Sequence, residues 1–424
     1  MKPEIKQRIE QIKVGQVPDG YKKTKIGVVP KEWEEVRFKK MFSRLSRKNC
    51  ENNDNVLTIS AQYGLISQSE FFNKNIASED KSNYFLLHKG EYAYNKSYSN
   101  GYPYGALKKL ERYEKGIVSP LYICFSPTGD NKCAEYYSHY FESNLIGKEI
   151  KAIAQEGARN HGLLNISVND FFNMYILNPP LAEQEKIAKI LSAQDRIIEL
   201  YQRKIEEMQK MKKVYLSKMF PQKGKNVPEW RLPQFTDAWE QRKLGDCFTE
   251  RVESMPDGEL ISVTINDGIK KFSELGRHDN SNDDKSKYKK VCVGDIAYNS
   301  MRMWQGASGY SPYEGIVSPA YTVLTPNSGI NSKCLAYQFK LPDMIHTFQT
   351  HSQGITSDTW NLKFPALSEI EIFVSTDERE QKKIAEFFAA LDNLITLNQR
   401  KLEETKKYKK ALMQLLLTGI ARCK

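Results

Sequence analysis

The sequence predicts an α+β protein with an internal duplication, in which each of two mixed α/β domains is followed by a long coiled-coil helix. Three observations support this fold class. Residues 181–220 contain neither Gly nor Pro, which is typical of one long helix. Residues 378–418 repeat the apolar pattern of that helix. Short motifs also recur in the same order in the two segments that precede these helices, so each repeat is one structural unit.

The first long segment has the apolar spacing of a coiled coil. Its apolar residues recur at alternating steps of four and three, and only Gln194 and Lys212 interrupt the series. A helix of this length would be a rod of roughly 60 Å, which is too long for the core of one ordinary domain, so it needs a partner of similar length. The residues predicted to pack against that partner are Ile187, Leu191, Ile198, Tyr201, Ile205 and Met208.

The second long segment supplies this partner. Residues 183–188 (EQEKIA) and 380–385 (EQKKIA) are nearly identical at an offset of 197. Asp377 and Glu380 have the spacing of a capping box at the helix start, and Gly419 should end the helix. The offset predicts that the packing residues of this helix are Ile384, Phe388, Leu391, Ile395, Leu402 and Leu412.

The segments before the two helices are also related. Residues 90–95 (GEYAYN) match 294–299 (GDIAYN), and residues 116–120 (GIVSP) recur unchanged at 315–319. The Gly-acid turns and short apolar runs predict mixed β structure with short helices. The predicted organisation is an N-terminal helix and lead-in at 1–23, a first domain at 24–180, a central helix at 181–221, a linker and second domain at 222–376, and a C-terminal helix at 377–424.

Composition narrows the functional classes. The 63 Lys and Arg residues against 52 Asp and Glu residues leave a net charge of +11, which favours a polyanionic partner. No apolar run is long enough to span a membrane and no signal-peptide core follows Met1, so a cytoplasmic protein is expected. The seven cysteines form no CxxC motif, which fits reduced thiols better than disulfides or a zinc site.

Two loops in each domain differ in sequence while their flanks agree. Loop A follows the repeated Ala-Tyr-Asn and covers residues 96–102 and 300–306, and loop B precedes each long helix at 155–162 and 352–360. A constant scaffold with divergent polar and aromatic loops is expected of two recognition modules, although unconstrained loops also drift. Arg can pair with guanine, and Asn and Gln can pair with adenine, but any single charge is also an ordinary solvated side chain. The candidate DNA-binding residues are Lys96, Tyr98, Asn100, Arg159, Asn160, His161, Arg302, Trp304, Gln305, Thr356, Ser357 and Trp360.

The sequence predicts no catalytic centre. Asn178-Pro179-Pro180 is similar to the Asn-Pro-Pro-aromatic motif of adenine methyltransferases, but Leu181 follows it and no glycine-rich loop for a methyl donor accompanies it. We interpret it as a turn before the helix. No Walker A, GxSxG or HExxH motif is present, and the histidines show no metal-binding spacing.

These features together resemble the specificity (S) subunits of type I restriction-modification enzymes. The resemblance rests on residues 179–188 (PPLAEQEKIA), their weaker copy at 380–385 and residues 29–33 (VPKEW), and it covers nearly the whole chain. The second copy departs from the pattern because no Pro-Pro precedes its helix. The resemblance implies two mixed α/β target-recognition domains separated by two long antiparallel coiled-coil helices. Each domain would bind one half of a split, asymmetric DNA site, in a subunit without catalytic activity.

The same resemblance implies the partners. They would be double-stranded DNA, two adenine-N6 methyltransferase (M) subunits and, for cleavage, two ATP-driven motor/nuclease (R) subunits. S-adenosylmethionine, ATP and Mg²⁺ would be bound by those subunits and not by this chain.

Two other functional classes stay open at this point. Two protein-binding modules on a scaffold would share the duplication, and so would a pair of RNA-binding domains without DNA sequence specificity. Salt-sensitive binding to DNA distinguishes the first of these from a DNA-recognition subunit. A rod of roughly 60 Å corresponds to at most about 18 base pairs, so two recognition domains would flank a gap of fixed length.

Overall fold

The structure is a computed structural model with two compact units. Unit 1 comprises Met1–Leu200 with Lys401–Lys424, and unit 2 comprises Tyr201–Arg400. The residues that the structure describes are 2–60, 64–72, 80–98, 102–129, 133–154, 164–265, 268–276, 278–279, 281–356 and 359–423.

The elements of unit 1 begin with a short N-terminal helix. The helices before the first long helix are α1 (Pro3–Lys13), α2 (Phe38–Met41), α3 (Gln68–Phe72), α4 (Ala134–Glu142), α5 (Asn144–Ile153) and α6 (Val168–Asn173). The strands are β1 (Tyr21–Lys23), β2 (Val28–Pro30), β3 (Glu34–Arg37), β4 (Phe42–Leu45), β5 (Leu57–Ser60), β6 (Gly64–Ser67), β7 (Phe85–His88), β8 (Tyr92–Asn95), β9 (Ala106–Lys109), β10 (Lys115–Val118), β11 (Ile123–Pro127) and β12 (Tyr175–Asn178). The first long helix is α7 (Leu181–Met219).

The elements of unit 2 follow the same order. The strands are β13 (Glu240–Lys243), β14 (Phe248–Glu250), β15 (Ile261–Thr264), β16 (Gly268–Lys271), β17 (Lys289–Val291), β18 (Ile296–Asn299), β19 (Ser308–Tyr310), β20 (Gly315–Val317), β21 (Tyr321–Pro326) and β22 (Glu371–Val374). The helices are α8 (Leu244–Cys247), α9 (Ser332–Gln338), α10 (Pro342–His351), α11 (Phe364–Ser368) and the second long helix α12 (Glu378–Leu416), with short 3-10 turns at Phe272–Leu275 and Met303–Gln305.

The sheet topology confirms the duplication. Unit 1 has an antiparallel sheet in the order β4-β11-β8-β9, and unit 2 repeats it as β14-β21-β18-β19. The smaller strand pairs also match: β7 with β10 corresponds to β17 with β20, β5 with β6 to β15 with β16, and β3 with β12 to β13 with β22. The α+β fold with two related halves is therefore as the sequence predicts.

Each domain shares its hydrophobic core with the long helices. In unit 1 the aromatic cluster around Phe38 and Phe125 continues to Ile187 and Leu191 of α7 and to Leu416 of α12. The core of unit 2 likewise includes buried side chains from the end of α7 and the start of α12, namely Met219, Phe220, Ile384, Ala385 and Phe388. Burial of these apolar side chains holds each domain on a helix pair.

The helices pack antiparallel within each unit. In unit 1 Glu183 of α7 bonds to Arg422, beyond the end of α12, whereas Asp195 further along α7 pairs with Lys409 earlier in α12. In unit 2 Lys212 of α7 pairs with Asp392 of α12. The two Lys–Asp pairs are equivalent at the offset of 197, so the lysines that interrupt the apolar series have carboxylate partners on the opposite helix.

The start of each long helix carries a buried carboxylate that joins three parts of the unit. Glu183 accepts hydrogen bonds from Trp33 Nε1 at 2.8 Å, from Arg422 Nε at 2.8 Å and from the Cys423 amide at 3.1 Å. Burial raises its pKa, but these hydrogen bonds outweigh burial and leave the pKa of Glu183 lowered. The indole comes from the domain and the guanidinium from the segment after the other long helix, so Glu183 connects all three.

Unit 2 has an equivalent buried carboxylate at the start of its long helix. Glu380, which is 1% exposed, accepts from Arg231 Nε at 2.6 Å, Trp239 Nε1 at 3.1 Å and Ser375 Oγ at 2.5 Å. The predicted capping box is therefore wrong in one half. Asp377 does cap the helix through the Arg379 amide at 2.8 Å, but the Glu380 side chain binds these three donors instead of the backbone of Asp377. Tertiary contacts outcompete the local capping geometry.

The glutamine that follows each of these glutamates also has the same role in both units. Gln184 accepts a hydrogen bond from the Cys133 amide at 3.1 Å, just before α4, and donates to Pro179 O at 2.8 Å. Gln381 accepts from the Asn331 amide at 2.7 Å, just before α9. The glutamine thus fixes the equivalent domain helix against the long helix in each unit.

We expect Glu380→Ala to destabilise unit 2 by about 3–5 kcal/mol, because the Arg231 guanidinium and the Trp239 indole lose their buried acceptor. Denaturant unfolding followed by tryptophan fluorescence measures this loss. Glu378→Ala is the matched control, since Glu378 lies in the same first turn and is exposed. Equal unfolding midpoints for the two variants would contradict the proposed role of Glu380.

We expect His139 to make unit 1 sensitive to acid. Its side chain is buried on α4, with Nε2 3.1 Å from Ser192 Oγ and Nδ1 3.7 Å from an Asp195 carboxylate that Lys409 also contacts. Burial, aided by the nearby Lys409 charge, lowers the pKa of His139 from 6.5 to about 4. The folded unit therefore keeps the imidazole neutral at a pH where the unfolded chain protonates it.

The free energy of unfolding of unit 1 should consequently fall as the pH falls from about 6.5 to about 4, by about 3 kcal/mol from this group. Denaturant unfolding of the wild type and of His139→Gln at pH 7, 5.5 and 4.5 tests this. The glutamine can still bond to Ser192 but does not titrate, so the variant should lose less stability over that window. Parallel pH profiles for the two proteins would show that His139 does not contribute.

Candidate nucleic-acid interface

Loop A of the second domain is a short turn with both ends fixed. It starts where the Asn299 side chain accepts a hydrogen bond from the Met301 amide at 3.0 Å. The 3-10 turn Met303–Gln305 follows, with Met303 fully buried beneath it. Gly306 ends the turn at φ 80°, a left-handed conformation that favours glycine. The buried methionine and the two fixed ends hold the side chains between them at the surface.

The candidate residues of this loop lie side by side. Arg302 is exposed, while Trp304 and Gln305 are half-buried. Arg302 Nη1 lies 3.4 Å from Gln305 Oε1, and Trp304 Nε1 donates to Met301 O at 3.1 Å. The turn therefore presents a guanidinium, an amide and an indole on one short stretch of chain.

Loop B of the second domain lies against loop A. The Trp304 and Trp360 rings form an edge-to-face pair with centroids 5.2 Å apart. Thr356 is exposed, and its amide donates to Thr359 Oγ1 at 3.1 Å. Ser357 lies outside the described residues. The structure thus brings together Arg302, Trp304, Gln305 and Trp360, which the sequence places in two separate loops.

A cleft of about 290 Å³ opens beside these loops. Ser300, Met301 and Asn361 line it where loops A and B meet, and the side chains of Lys289 and Lys363 add positive charge. Lys289 is partly neutralised by Glu250, 3.2 Å away. Lysine and polar side chains around one recess suit a nucleic acid, whose phosphates carry the complementary charge.

The described residues that flank loops A and B of the first domain make the same hydrogen bonds as in the second domain. The Asn95 side chain accepts from the Ser97 amide at 3.0 Å, as Asn299 does in the second domain. The Leu164 amide donates to Lys96 O at 3.1 Å, and the Leu362 amide donates to Ser300 O at 2.9 Å, so in both units the first residue of loop A is bonded to the residue two positions after loop B. The repeated asparagine is therefore explained as the residue that begins loop A.

The candidate residues of the first domain are only partly described. Lys96 is half-buried and Tyr98 is 63% exposed. Asn100, Arg159, Asn160 and His161 lie outside the described residues. Lys96 is therefore bonded to the chain just after loop B, and the roles of the loop B residues of this domain stay a prediction.

The predicted helix-packing residues fall into two groups by burial. Those that are less than 9% exposed are Ile187, Leu191, Ile205, Met208, Ile384, Phe388 and Ile395. Those that are partly exposed are Ile198, Tyr201, Leu391, Leu402 and Leu412.

A second surface on the long helices was not predicted from the sequence. In unit 1 the exposed apolar residues on α7 are Ile190, Ile197 and Leu200, and Tyr408 is exposed on α12. Unit 2 has Phe387, Leu394, Leu397 and Met211 at the same four positions, each related by the offset of 197. We call these two sets the helix patches. The signal was present in the sequence, because the offset can be applied to apolar residues outside the coiled-coil series as well as to those within it.

Within the described ranges, no group of three or more His, Cys, Asp or Glu side chains is placed to hold a metal ion. Burial raises the pKa of the Cys124 thiol to about 12 and that of Cys247 to about 11, which makes both poor nucleophiles. In the same ranges, no helix has the length and apolar character needed to cross a bilayer.

Known proteins match both halves of the chain. The family model described as the type I restriction modification DNA specificity domain matches residues 30–210 and again residues 236–407. The type I restriction enzyme MjaVIII specificity subunit of Methanocaldococcus jannaschii is 26% identical over 335 residues, covering 74% of this chain and 73% of its own length. A protein of the same organism, provisionally named the type I restriction enzyme MjaX specificity subunit, is 25% identical over 425 residues, covering 96% of this chain and 97% of its own.

Solved structures share the fold. The S subunit of a type I restriction-modification system from M. genitalium aligns with a TM-score of 0.54 at 16% identity, covering 91% of this chain and 96% of that one. A chain from a structure of the assembly of a type I restriction-modification system aligns with a TM-score of 0.54 at 15% identity, covering 93% and 99%. The duplicated domains, the paired long helices and the two matches to one family model lead to the same conclusion: the chain belongs to the type I restriction-modification DNA specificity family, as a non-catalytic, DNA-binding specificity subunit of such a complex.

Proposed function

We propose that this specificity subunit recognises a split, asymmetric DNA site, with loops A and B of each domain contacting one half-site. The observation that carries the proposal is a hydrogen-bonded frame that both units share at the start of loop A. In both units an asparagine begins loop A, and a backbone hydrogen bond joins the first residue of loop A to the residue two positions after loop B, although the loop sequences differ. A conserved frame that presents different side chains suits two modules with different base preferences.

In the second domain, Arg302 and Gln305 are the proposed base-contacting residues. A guanidinium can donate two hydrogen bonds to a guanine edge, and a carboxamide can bond twice to adenine. Trp304 and Trp360 would pack against the DNA beside them. In the first domain the corresponding residues are Lys96, Tyr98, Asn100, Arg159, Asn160 and His161, and Thr356 and Ser357 complete the set in the second.

The long helices would set the distance between the half-sites. α7 and α12 have 39 residues each, which corresponds to roughly 58 Å of helix. We propose that residues 24–180 and 222–376 can be exchanged as recognition domains, and that the helices keep the gap between the half-sites constant. Insertion of about one turn in both helices should then change the gap without changing either half-site.

The helix patches are the proposed docking sites for two M subunits. Exposed apolar residues at equivalent positions in both units suit two copies of one partner. The M subunits would bind S-adenosylmethionine, and the R subunits of the restriction complex would bind ATP and Mg²⁺. The assembled complex would act in the cytoplasm.

Arg302→Ala should relax recognition at one base pair of one half-site, with a loss of about 1–3 kcal/mol in discrimination, because the guanidinium provides the base contact. The measurement is modified-base sequencing of DNA from cells that produce this chain with the M subunit of its own system. The wild type should place N6-methyladenine in a single split motif with a fixed gap.

The half-site bound by the first domain is the internal control and should be unchanged. A uniform loss at all positions, with a weaker dependence on salt, would instead assign Arg302 to a phosphate contact. Absence of any motif despite an assembled complex and an active M subunit would refute DNA recognition and favour a scaffold. Preferential binding of RNA would favour a pair of RNA-binding domains without DNA sequence specificity.

Leu200→Lys and Leu397→Lys should each remove one M subunit from the complex, and the double variant should remove both, because a charge in an apolar contact loses its solvation. Native mass spectrometry of the co-expressed complex gives the subunit ratio. Thr396→Lys adds the same charge at an exposed position of α12 outside the patch and should leave the ratio unchanged. An unaltered ratio in the double variant would rule out the helix patches as docking sites.

A further inference from the structure

One half-buried lysine contacts the end of loop A in the second domain. Lys340 Nζ donates hydrogen bonds to Gly306 O at 2.6 Å, Ser308 O at 2.8 Å and Ile265 O at 3.2 Å. Gly306 ends the turn that carries Arg302 and Gln305. A single ammonium therefore joins the end of loop A, strand β19 and the end of strand β15.

This contact fixes the opposite end of the loop from Asn299. Burial, with a smaller contribution from the Lys212 charge, lowers the pKa of Lys340 to about 8, so the amine is still largely protonated at neutral pH. Its bonds to carbonyl oxygens are then charge-assisted and stronger than bonds between neutral groups. Arg302 and Gln305 lie between two fixed ends, which restricts the positions that their side chains can reach.

The equivalent residue in the first domain is Glu142. Gln184 and Gln381 accept hydrogen bonds from the Cys133 and Asn331 amides respectively, which makes those two positions equivalent at an offset of 198. The same offset relates Glu142 to Lys340. The charge at this position is therefore reversed between the two domains.

Glu142 nevertheless contacts the same loop. Its carboxylate accepts a hydrogen bond from the Tyr102 hydroxyl at 2.6 Å, and Tyr102 is the last residue of loop A. Lys108 Nζ also bonds to Glu142, and its side chain is only 9% exposed. The first domain thus ties its loop to a carboxylate, whereas the second ties its loop to an ammonium.

The strand residue that contacts Glu142 also differs between the two domains. Lys108 pairs with Ala93 across β8 and β9, and Gly309 pairs with Ala297 across β18 and β19, so Gly309 replaces Lys108 in the second domain. A Cβ at Gly309 would lie 2.9 Å from both Gly268 Cα and Ile269 N. The β15-β16 hairpin therefore lies where a side chain equivalent to that of Lys108 would be. The ammonium in the second domain is supplied by Lys340 instead.

We propose that Glu142 and Lys340 are the positioning residues for loop A of their own domains, so that base discrimination in each half-site depends on its own anchor. This inference rests on the proposed function of the loops. It predicts that the two anchors act independently, because the hydrogen bonds of each one stay within a single domain.

The test uses the full chain in complex with its M subunit. Initial methylation rates are measured on the wild-type site and on duplexes with single base changes in each half-site, and their ratio gives the discrimination at each position. Lys340→Met should lower discrimination about tenfold in the half-site of the second domain and leave the other half-site within about twofold. Tyr102→Phe, which removes only the hydroxyl bonded to Glu142, should have the reverse effect.

Lys333→Met is the matched control, because Lys333 lies in α9, shortly before Lys340 in the chain, and its ammonium lies over the Tyr310 ring and not at loop A. Lys340→Arg keeps a cationic donor and should recover part of the lost discrimination. If Lys340→Met fails to fold, the Tyr102→Phe and Lys340→Arg results decide the question.

A merely structural role would lower the thermal stability or the overall rate and leave the discrimination ratios unchanged, and that result would overturn the proposal. Loss of discrimination in both half-sites from one variant would overturn it too. If the wild type itself methylates no split motif, the proposed function fails. If it methylates one and Lys340→Met retains full discrimination, only this inference fails.

Discussion

Both units depend on a buried carboxylate at the start of a long helix. An unpaired carboxylate in this environment would be strongly unfavourable, and Glu183 and Glu380 are stable only because guanidinium and indole donors surround them. Each arginine comes from the segment after the other long helix. One set of hydrogen bonds therefore connects a domain, the helix that starts there and the helix that ends there.

The helix pair also uses charge to set its register. An apolar series alone tolerates sliding by one heptad, whereas a lysine within the series must meet its carboxylate. Lys409 with Asp195, and Lys212 with Asp392, provide this restriction once in each unit. The same aspartates also contact the domains, through His139 in unit 1 and through the Tyr337 hydroxyl in unit 2. The register of the two helices and the attachment of the domains to them therefore depend on the same two aspartates.

The two domains share the hydrogen bonds that support loop A but differ in the residue that contacts the end of this loop. Asn95 and Asn299 begin loop A in the same way, and Gln184 and Gln381 hold equivalent helices. The anchor at the end of loop A has nevertheless reversed its charge, together with the opposing strand position. The two exchanged strand positions, Lys108 and Gly309, lie on β9 and β19, the last strands of the two equivalent sheets.

The sequence by itself determined the duplication, the two long helices and the family. Helical periodicity and repeated motifs are local properties, so they can be recognised from the order of the residues alone. The sequence also located loops A and B by their divergence between constant flanks. Only the tertiary structure decided that Glu380 bonds to Arg231 instead of closing a capping box, that Trp304 meets Trp360, and that Lys340 holds the end of loop A. These contacts join residues from separate elements, and packing in three dimensions selects among partners that periodicity leaves equivalent.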